Sequence, residues 1–252
     1  VVARPADVAL PQTDVRAAID AAHSAFPDWA AQGSGSGGVE ARAAVLDRLA
    51  DLLEENRGRL MAVAVQEAKK TIPDALAEVR EAVDFCRYYA ARARVDLCGV
   101  ALPGPTGEAN RLHYAPRGVW ACIAPWNFPL AIFVGQVVAA LVAGNTVVAK
   151  PAPQTPRVAA FAVALAKQAG IPDGALQLVI GGAEAGAALT GDARVMGVAF
   201  TGSTGTARAI ARSLLDDETR PLVPLIAETG GLNAMIVDST ALPEQVVVDV
   251  VT

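Results

Sequence analysis

From residue 119 onward the sequence alternates between short apolar runs and longer segments with helical periodicity, and this alternation most constrains the fold. Apolar runs of strand length lie at 119–124, 146–149, 176–180, 196–200, 222–227 and 234–237. Helical patterns lie at 130–143, 156–169, 183–189 and 206–215, and Gly144 and Gly170 close the first two. Near-continuous apolar strands with helical crossovers predict an α/β fold, a parallel sheet covered by helices on both faces.

The first hundred residues have a different pattern. Apolar residues at helical spacing predict helices at 39–56, 61–69 and 73–94. The segment 99–107 is rich in Gly and Pro and marks a change of architecture. We therefore expect a mainly helical region over 1–107, followed by a Rossmann-like core over 108–252.

Composition excludes several classes of protein. The 252-residue chain carries a formal net charge of −5 and no cluster of Lys and Arg, which argues against nucleic acid as a partner. Its cysteines, Cys86, Cys98 and Cys122, are odd in number and lack metal-site spacing, which favours a reducing compartment. His23 and His113 are isolated, so no metal site is predicted.

The sequence also gives expectations about membranes and targeting. The longest nearly uncharged stretch, 119–149, contains Pro125, Asn127, Pro129 and Gln136 and is a poor candidate for a membrane span. No secretory signal is visible, so the cytoplasm is the default location. The first residue is Val1 rather than Met, and we expect the N-terminus to be incomplete.

Unusual residues stand at the ends of five predicted strands. They are 125–128, Lys150, 181–182, 201–204 and Glu228. Ligands of open parallel sheets bind beyond the carboxyl ends of the strands. The sequence therefore predicts a functional site along this edge.

Two of these positions suggest specific hydrogen bonds. Asn127 lies between Pro125 and Pro129, and a side-chain amide fixed in this way can donate to a developing oxyanion; the alternative is an Asn that satisfies turn backbone. Lys150 can donate to ribose hydroxyls or to phosphate. A solvated lysine at a strand end is the alternative.

Two further positions suggest an anion site and a base. The segment 202–205 (Gly-Ser-Thr-Gly) joins a strand to a helix, where free N–H groups attract an anion; alternatively, Ser203 or Thr204 only caps the helix. Glu228 ends an apolar strand and precedes two glycines. If it is partly desolvated there, it can act as a general base, whereas an ordinary acidic residue at a strand end would be solvated.

Together, the segments 125–129 (Pro-Trp-Asn-Phe-Pro), 144–151, 200–204 and 228–231 (Glu-Thr-Gly-Gly) resemble the aldehyde dehydrogenase superfamily. The resemblance implies catalytic roles for Asn127 as oxyanion donor and Glu228 as general base. The family's nucleophilic cysteine follows that glutamate, and none of the three cysteines here does. We therefore expect a fragment that ends before the catalytic cysteine, lacks the catalytic domain and is inactive alone.

The same resemblance implies a cofactor site for NAD. The residues that it assigns to this site are Pro125, Trp126, Lys150, Gly182, Gly186, Phe200, Thr201, Gly202, Ser203, Thr204, Thr229 and Gly230. For Gly186, tight packing is an equal alternative. Pro153 stands where relatives commonly have an acidic residue that repels the 2′-phosphate of NADP, so NAD is expected to be preferred by a narrow margin. Phe128 would line the aldehyde tunnel, with core packing as its alternative.

Further residues narrow the resemblance to one branch. The segments 77–91 and 224–231, with Gln136 and Thr229, are similar to the Δ1-pyrroline-5-carboxylate dehydrogenase part of bifunctional proline utilization A flavoproteins. That branch implies NAD-dependent oxidation of L-glutamate γ-semialdehyde to L-glutamate, and a homodimer in the full-length protein. FAD would belong only to a proline dehydrogenase domain absent from these residues.

Three alternatives stay open at this point. They are a non-catalytic nucleotide-binding or regulatory module, an aldehyde dehydrogenase of other substrate specificity, and an interaction protein that uses the helical region and a sheet edge. The presence of both Asn127 and Glu228 favours an enzyme, because cofactor binding alone needs neither side chain.

Overall fold

The helical region is the first part of the fold. A computed structural model describes residues 14–31, 36–218 and 220–251. The first four helices are α1 (Val15–Ala31), α2 (Ser36–Glu55), α3 (Arg57–Ala68) and α4 (Ile72–Asp96). An exposed antiparallel hairpin follows, formed by β1 (Val100–Leu102) and β2 (Asn110–Leu112). The helices predicted from periodicity over 39–94 are thus confirmed to within a turn.

A five-stranded parallel sheet with helical crossovers forms the second part. Its elements in chain order are β3 (Val119–Ile123), α5 (Ala131–Val142), β4 (Thr146–Lys150), α6 (Pro156–Ala169), β5 (Leu176–Leu178), α7 (Ala183–Gly191), β6 (Val195–Gly202), α8 (Thr204–Leu215), β7 (Leu225–Thr229) and α9 (Pro243–Val251). The strand order β5-β4-β3-β6-β7 confirms the predicted α/β fold. From β3 the chain adds β4 and β5 on one side and then returns to add β6 and β7 on the other side. A crevice forms between β3 and β6, where the strand order reverses.

Apolar side chains cover both faces of this sheet. On one face a large buried cluster joins α2, α3 and α4 to α5 and α6, and Trp29 of α1 reaches into it. On the other face α1, α7 and α8 pack against the sheet around Val198 and Phe200. The helical region therefore has no separate core of its own, because its apolar side chains belong to the buried clusters on the two faces of the sheet.

Side chains of the helical region satisfy both ends of α5. The Glu78 carboxylate accepts hydrogen bonds from the backbone N–H groups of Leu130 (3.1 Å) and Ala131 (2.9 Å) at the N-terminus. Arg42 Nε donates to the carbonyl oxygen of Val142 at the C-terminus, over 3.0 Å. A carboxylate at the N-terminus and a guanidinium at the C-terminus both complement the helix dipole.

The same arrangement closes α6. The Glu67 carboxylate accepts from the backbone N–H groups of Arg157 (2.9 and 3.1 Å) and Val158 (3.0 Å). Arg48 Nε donates to the Ala169 carbonyl oxygen over 2.8 Å. Glu78, Arg42, Glu67 and Arg48 are called the helix-end clamp below.

The glycines predicted to close α5 and α6 do so. Gly144 and Gly170 adopt φ values of +90° and +113°, in the left-handed region that favours glycine. A Cβ atom added at Gly170 would lie 2.9 Å from Nη2 of Arg48. At Gly170 the helix-end clamp therefore also approaches the backbone closely.

The strand predicted at 234–237 is wrong. The structure has no regular element from 230 to 238, and Met235 and Ile236 are 55% and 93% exposed. A strand needs a neighbour for its backbone groups, and β7 pairs with β6 alone. An apolar run of four residues without such a neighbour does not form a strand.

Candidate functional site

The five motif-bearing strand ends lie along one edge of the sheet, as predicted. Parallel register places Ile123 between Lys150 on β4 and Phe200 on β6, so the 125–129 loop leaves the sheet between these strands. On the other side of β6, Thr201 pairs with Glu228 of β7. Polar groups from four neighbouring strands thus converge at the carboxyl ends of the strands, beside the reversal of strand order between β3 and β6.

A cavity of about 420 Å³, called the Lys150 cavity below, lies between this edge and helices α7 and α8. It brings together Lys150, Gly182, Gly186 and Phe200, all predicted to bind a cofactor. A Cβ atom at Gly186 would touch Lys150 Cε at 3.7 Å, whereas nothing lies within 4 Å at Gly182. The space at Gly186 would accept a Cβ atom at ordinary contact distance, and Gly182 leaves open space, so the choice between packing and cofactor binding at Gly186 stays a prediction.

Lys150 brings a positive charge to this cavity. The residue is only 5% exposed, and within the described residues its Nζ makes one long hydrogen bond, 3.5 Å to the carbonyl oxygen of Pro151. Burial lowers the pKa of Lys150 because the charged form is desolvated. An ammonium with unused donors at a cavity wall suits hydroxyl or phosphate oxygens.

Ser203 caps helix α8. Its Oγ accepts from the backbone N–H of Thr206 over 3.1 Å and lies 2.9 Å from Thr206 Oγ1. Thr204 is the first residue of the helix and is exposed. The capping alternative is therefore observed for Ser203, and it leaves the remaining N–H groups of the first turn facing outward.

A second cavity of about 420 Å³, called the Gln136 cavity below, lies between α4, α5 and strands β6 and β7. Gln136 Nε2 donates to Thr201 Oγ1 over 3.0 Å. Within the described chain, Gln136 Oε1 and Trp120 Nε1 are buried without a hydrogen-bond partner. Both residues and Glu228 line this largely apolar space.

Glu228 is exposed, so the expected partial desolvation is not found. The strand that carries it, β7, is at the edge of the sheet, and the segment after Thr229 does not fold back over it. Across the described ranges its carboxylate has neither an ion-pair nor a hydrogen-bond partner. Glu228 is thus a free carboxylate beside Thr201.

The middle of the 125–129 loop, residues 126–128, presents its side chains outward. Trp126 and Phe128 are 55% and 42% exposed, and Asn127 is exposed as well. In the part of the chain that the structure describes, the Asn127 amide makes no hydrogen bond, so the alternative of a turn-satisfying Asn is not observed. Phe128 is likewise not a core residue.

Several predicted residues line neither cavity, although they lie on the same edge. They are Pro125, Trp126, Asn127, Phe128, Gly202, Ser203, Thr204, Thr229 and Gly230. Gly202 approaches Phe200 closely, since a Cβ atom there would lie 2.6 Å from the ring. Their roles in binding stay predictions.

Sequence reasoning missed two charged residues beside the loop, Lys70 and Glu78. Glu78 is 1% exposed, and its Oε1 lies 2.9 Å from Lys70 Nζ. That Nζ also lies 4.1 Å from the ring centroid of Phe128. A usable signal was present, because Glu78 falls on the inward stripe of α4 with Ala75, Val79 and Ala82.

The thiols of the three cysteines take no part in the site, although Cys122 lies on β3 one residue before its end. Cys86 and Cys122 are buried, and burial raises the pKa of the Cys86 thiol to about 12 and that of Cys122 further. Cys98 is partly exposed and donates to the Arg94 carbonyl oxygen over 3.1 Å. None of these thiols lines either cavity.

Two negative findings apply to the described residues alone. In the ranges 14–31, 36–218 and 220–251, no helix is long and apolar enough to cross a membrane. Across the same ranges, no three His, Cys, Asp or Glu side chains are grouped to hold a metal ion.

Comparison with known proteins gives the class of this chain. The model of the aldehyde dehydrogenase family matches residues 6–252. The chain belongs to the aldehyde dehydrogenase family, as the motifs at the strand ends indicated, and the family implies a nicotinamide cofactor.

Within that family the chain is similar to proline utilization A. It is 51% identical over 241 residues to the bifunctional protein PutA of Escherichia coli (strain K12), which covers 94% of this chain and 17% of PutA. It is 40% identical over 207 residues to the 1-pyrroline-5-carboxylate dehydrogenase of Anoxybacillus flavithermus, with 80% and 40% covered. The chain thus spans less than a fifth of that PutA.

A solved structure shows the same relation in three dimensions. The structure of a PutA mutant from Bradyrhizobium japonicum matches with a TM-score of 0.89 and 53% identity. The match covers 100% of this chain and 25% of that one. The resemblance to the proline utilization A branch, inferred from Gln136 and Thr229, is confirmed.

Proposed function

We propose that this chain forms the NAD-binding part of an enzyme that oxidises L-glutamate γ-semialdehyde to L-glutamate in proline catabolism. The observation that carries the proposal is the convergence of Asn127, Lys150, Thr201 and Glu228 at one edge of the sheet. Similarity to PutA and to 1-pyrroline-5-carboxylate dehydrogenase supports the substrate. Nucleophilic attack on the aldehyde falls to a cysteine outside these 252 residues.

The Lys150 cavity fits a nicotinamide dinucleotide. Lys150 offers unused donors to ribose hydroxyls, and the α8 N-terminus offers N–H groups to the pyrophosphate. Open space at Gly182 allows the ligand to approach the backbone closely. The bound cofactor supplies a hydride acceptor for aldehyde oxidation.

We assign the two catalytic roles to Asn127 and Glu228. The unpaired Asn127 amide donates a hydrogen bond to the oxyanion formed when a thiolate adds to the aldehyde carbon. Loss of a hydride from that adduct to the nicotinamide cofactor would give a thioester. Glu228, a free carboxylate, takes a proton from the water that hydrolyses this thioester, which releases the acid and the thiol. Gln136 Nε2 donates to the Thr201 hydroxyl on β6, the strand that lies between β3 and β7.

The proposal is tested on the intact protein as its gene encodes it, with L-glutamate γ-semialdehyde and NAD. Asn127→Ala is expected to lower kcat roughly 10²- to 10³-fold, since one oxyanion donor is lost. Glu228→Gln is expected to lower steady-state turnover but to keep a first burst of NADH, because hydride transfer precedes thioester hydrolysis. Arg92→Ala, at an exposed ion pair on α4, is the control.

The outcome of that assay also discriminates the alternatives. Cofactor binding without NADH formation from this semialdehyde would favour a non-catalytic module. Faster turnover of another aldehyde would favour an aldehyde dehydrogenase of other substrate specificity. We expect NAD to bind more tightly than NADP. The margin should be narrow, because exposed Pro153 carries no negative charge that would repel the 2′-phosphate of NADP. Equal affinity, or tighter binding of NADP, would contradict that preference.

We also propose a homodimer. Val100, Leu102, Leu112 and Tyr114 on or beside the β1–β2 hairpin are between 41% and 59% exposed, and such apolar residues suit a subunit interface. Sedimentation of the intact protein as a monomer would contradict this assembly.

We place the protein in the cytoplasm. The free state of Cys86, Cys98 and Cys122 supports a reducing compartment. Recovery of the native protein from an extracytoplasmic fraction would contradict the assignment.

A further inference from the structure

We propose that Lys70 and Glu78 form a buried ion pair that positions the 125–129 loop, and with it the amide of Asn127. They are therefore positioning residues for the reaction. This inference rests on the proposed function, because it gives the loop a catalytic task. Its geometric part can be tested without any substrate.

Glu78 holds the C-terminal end of the loop. Its Oε2 accepts from both Leu130 and Ala131, at 3.1 and 2.9 Å, and the residue is 1% exposed. Helix α5 begins after Leu130 with no side-chain cap of its own. Because Glu78 comes from α4, the direction in which the loop enters α5 is set by a different helix.

Lys70 holds the middle of the loop. Its side chain is 12% exposed, and Nζ lies 2.9 Å from Glu78 Oε1 and 4.1 Å from the Phe128 ring centroid. An ammonium over a ring face is attracted by the ring's quadrupole, more strongly where water is excluded. One cation thus ties Phe128, the residue after Asn127, to the carboxylate that fixes Leu130.

The other end of the loop is fixed by the sheet. The backbone N–H of Ala124 donates to the Lys150 carbonyl oxygen over 3.1 Å. Asn127 therefore lies in a short exposed span whose two sides are both anchored. The directional constraint comes from Glu78 Oε2, which accepts both backbone hydrogen bonds, whereas Oε1 is in ion-pair contact with Lys70 without hydrogen-bond geometry.

Hydrogen exchange of the intact protein tests the positioning. We expect the Leu130 and Ala131 amides to exchange roughly tenfold faster in Glu78→Gln, because the charge-assisted bonds are lost. Glu67→Gln is the matched control, since Glu67 caps α6 in the same way. It should release Arg157 and Val158 and leave Leu130 and Ala131 unchanged. Unchanged exchange at Leu130 and Ala131 in Glu78→Gln would overturn the geometric part.

Kinetics of the same variants test the link to the reaction. Lys70→Met should lower kcat about tenfold to a hundredfold through misplacement of Asn127, with the KM for NAD unchanged, and Lys70→Arg should restore most of it. The double variant Lys70→Met/Glu78→Gln has no unpaired buried charge, so it keeps the test valid if a single variant misfolds. Full kcat in that folded double variant would overturn the inference.

The two kinds of measurement separate two failures. If the unmodified protein oxidises no aldehyde, the proposed function fails, yet the exchange data still report whether the pair holds the loop. If the unmodified protein is active and the exchange pattern is as expected, unchanged kcat in Lys70→Met contradicts the positioning role alone.

Discussion

At the scale of single residues, two of the three thiols of this chain are poor nucleophiles because they are buried. Cys86 and Cys122 are buried in the core, and desolvation raises the pKa of both thiols. A raised pKa reduces the thiolate fraction at neutral and mildly alkaline pH, and the thiolate is the reactive form. The chemistry assigned to Asn127 and Glu228 therefore needs a thiol from elsewhere.

This difference in burial predicts the reactivity of each cysteine in the 252-residue chain. With an aromatic disulfide reagent at pH 8, Cys98 should react first, and Cys86 and Cys122 only after unfolding in denaturant. Peptide mapping of the labelled sites checks the order. Rapid native labelling of Cys122 would show that the core opens far more readily than its packing indicates.

Single residues also show what the sequence could and could not tell. Lys150 and Ser203 were predictable, because a strand end and a helix start are local features that bring them to the sheet edge. Lys70 and Glu78 were not, since Glu78 contacts residues 52 and 53 positions away. An acidic residue on the inward stripe of α4 was the one local sign of that contact.

At the scale of elements, strands β3 and β6 pair a large residue with a small one. Gly197 on β6 pairs with Trp120 on β3, and a Cβ atom at Gly197 would lie 2.2 Å from the indole ring. The absence of a side chain thus leaves room for the Trp120 ring, which lines the Gln136 cavity. A glycine at this point serves close approach between strands.

We therefore expect Gly197→Ala to destabilise the protein by about 1–3 kcal/mol, since the indole must shift in a packed core. Gly58→Ala on α3 is the matched control, because no atom lies within 4 Å of its added Cβ and alanine favours helix. Urea unfolding of the two variants measures the difference. A neutral Gly197→Ala would mean that Trp120 is loosely held.

Elements were predicted well where their periodicity extended over several turns or strands. Helix α6 was placed with its observed bounds, because Pro156 and Gly170 mark its ends. The strand assigned to 234–237 failed for the opposite reason. Its four apolar residues carry a local pattern, but strand formation depends on a neighbour that the pattern does not specify.

At the scale of the whole molecule, the helical region and the sheet are coupled through the helix-end clamp and a shared core. Arg42 is 5% exposed, and burial lowers the pKa of its guanidinium. Its hydrogen bond to Val142 crosses 100 positions of sequence. Removing such a contact should affect both regions, because the backbone groups at the ends of α5 and α6 take their hydrogen-bond partners from the helical region.

This coupling predicts one cooperative unfolding transition. Arg42→Leu should lower the free energy of unfolding by about 1–3 kcal/mol, and far-UV circular dichroism and tryptophan fluorescence should shift together. Arg92→Leu, at an exposed pair, should change it by no more than about 0.5 kcal/mol. Two separate transitions would show that the regions unfold independently.

The helix-end clamp also has a consequence for synthesis. Its four side chains precede the helices that they close, by 52 to 121 positions. A growing chain therefore leaves the ribosome with the closing groups of α5 and α6 already made, and each helix meets its partners as soon as it emerges. Contacts between residues so far apart in sequence form slowly. Because all four side chains are synthesised before α5 and α6, the capping of these two helices does not depend on later residues.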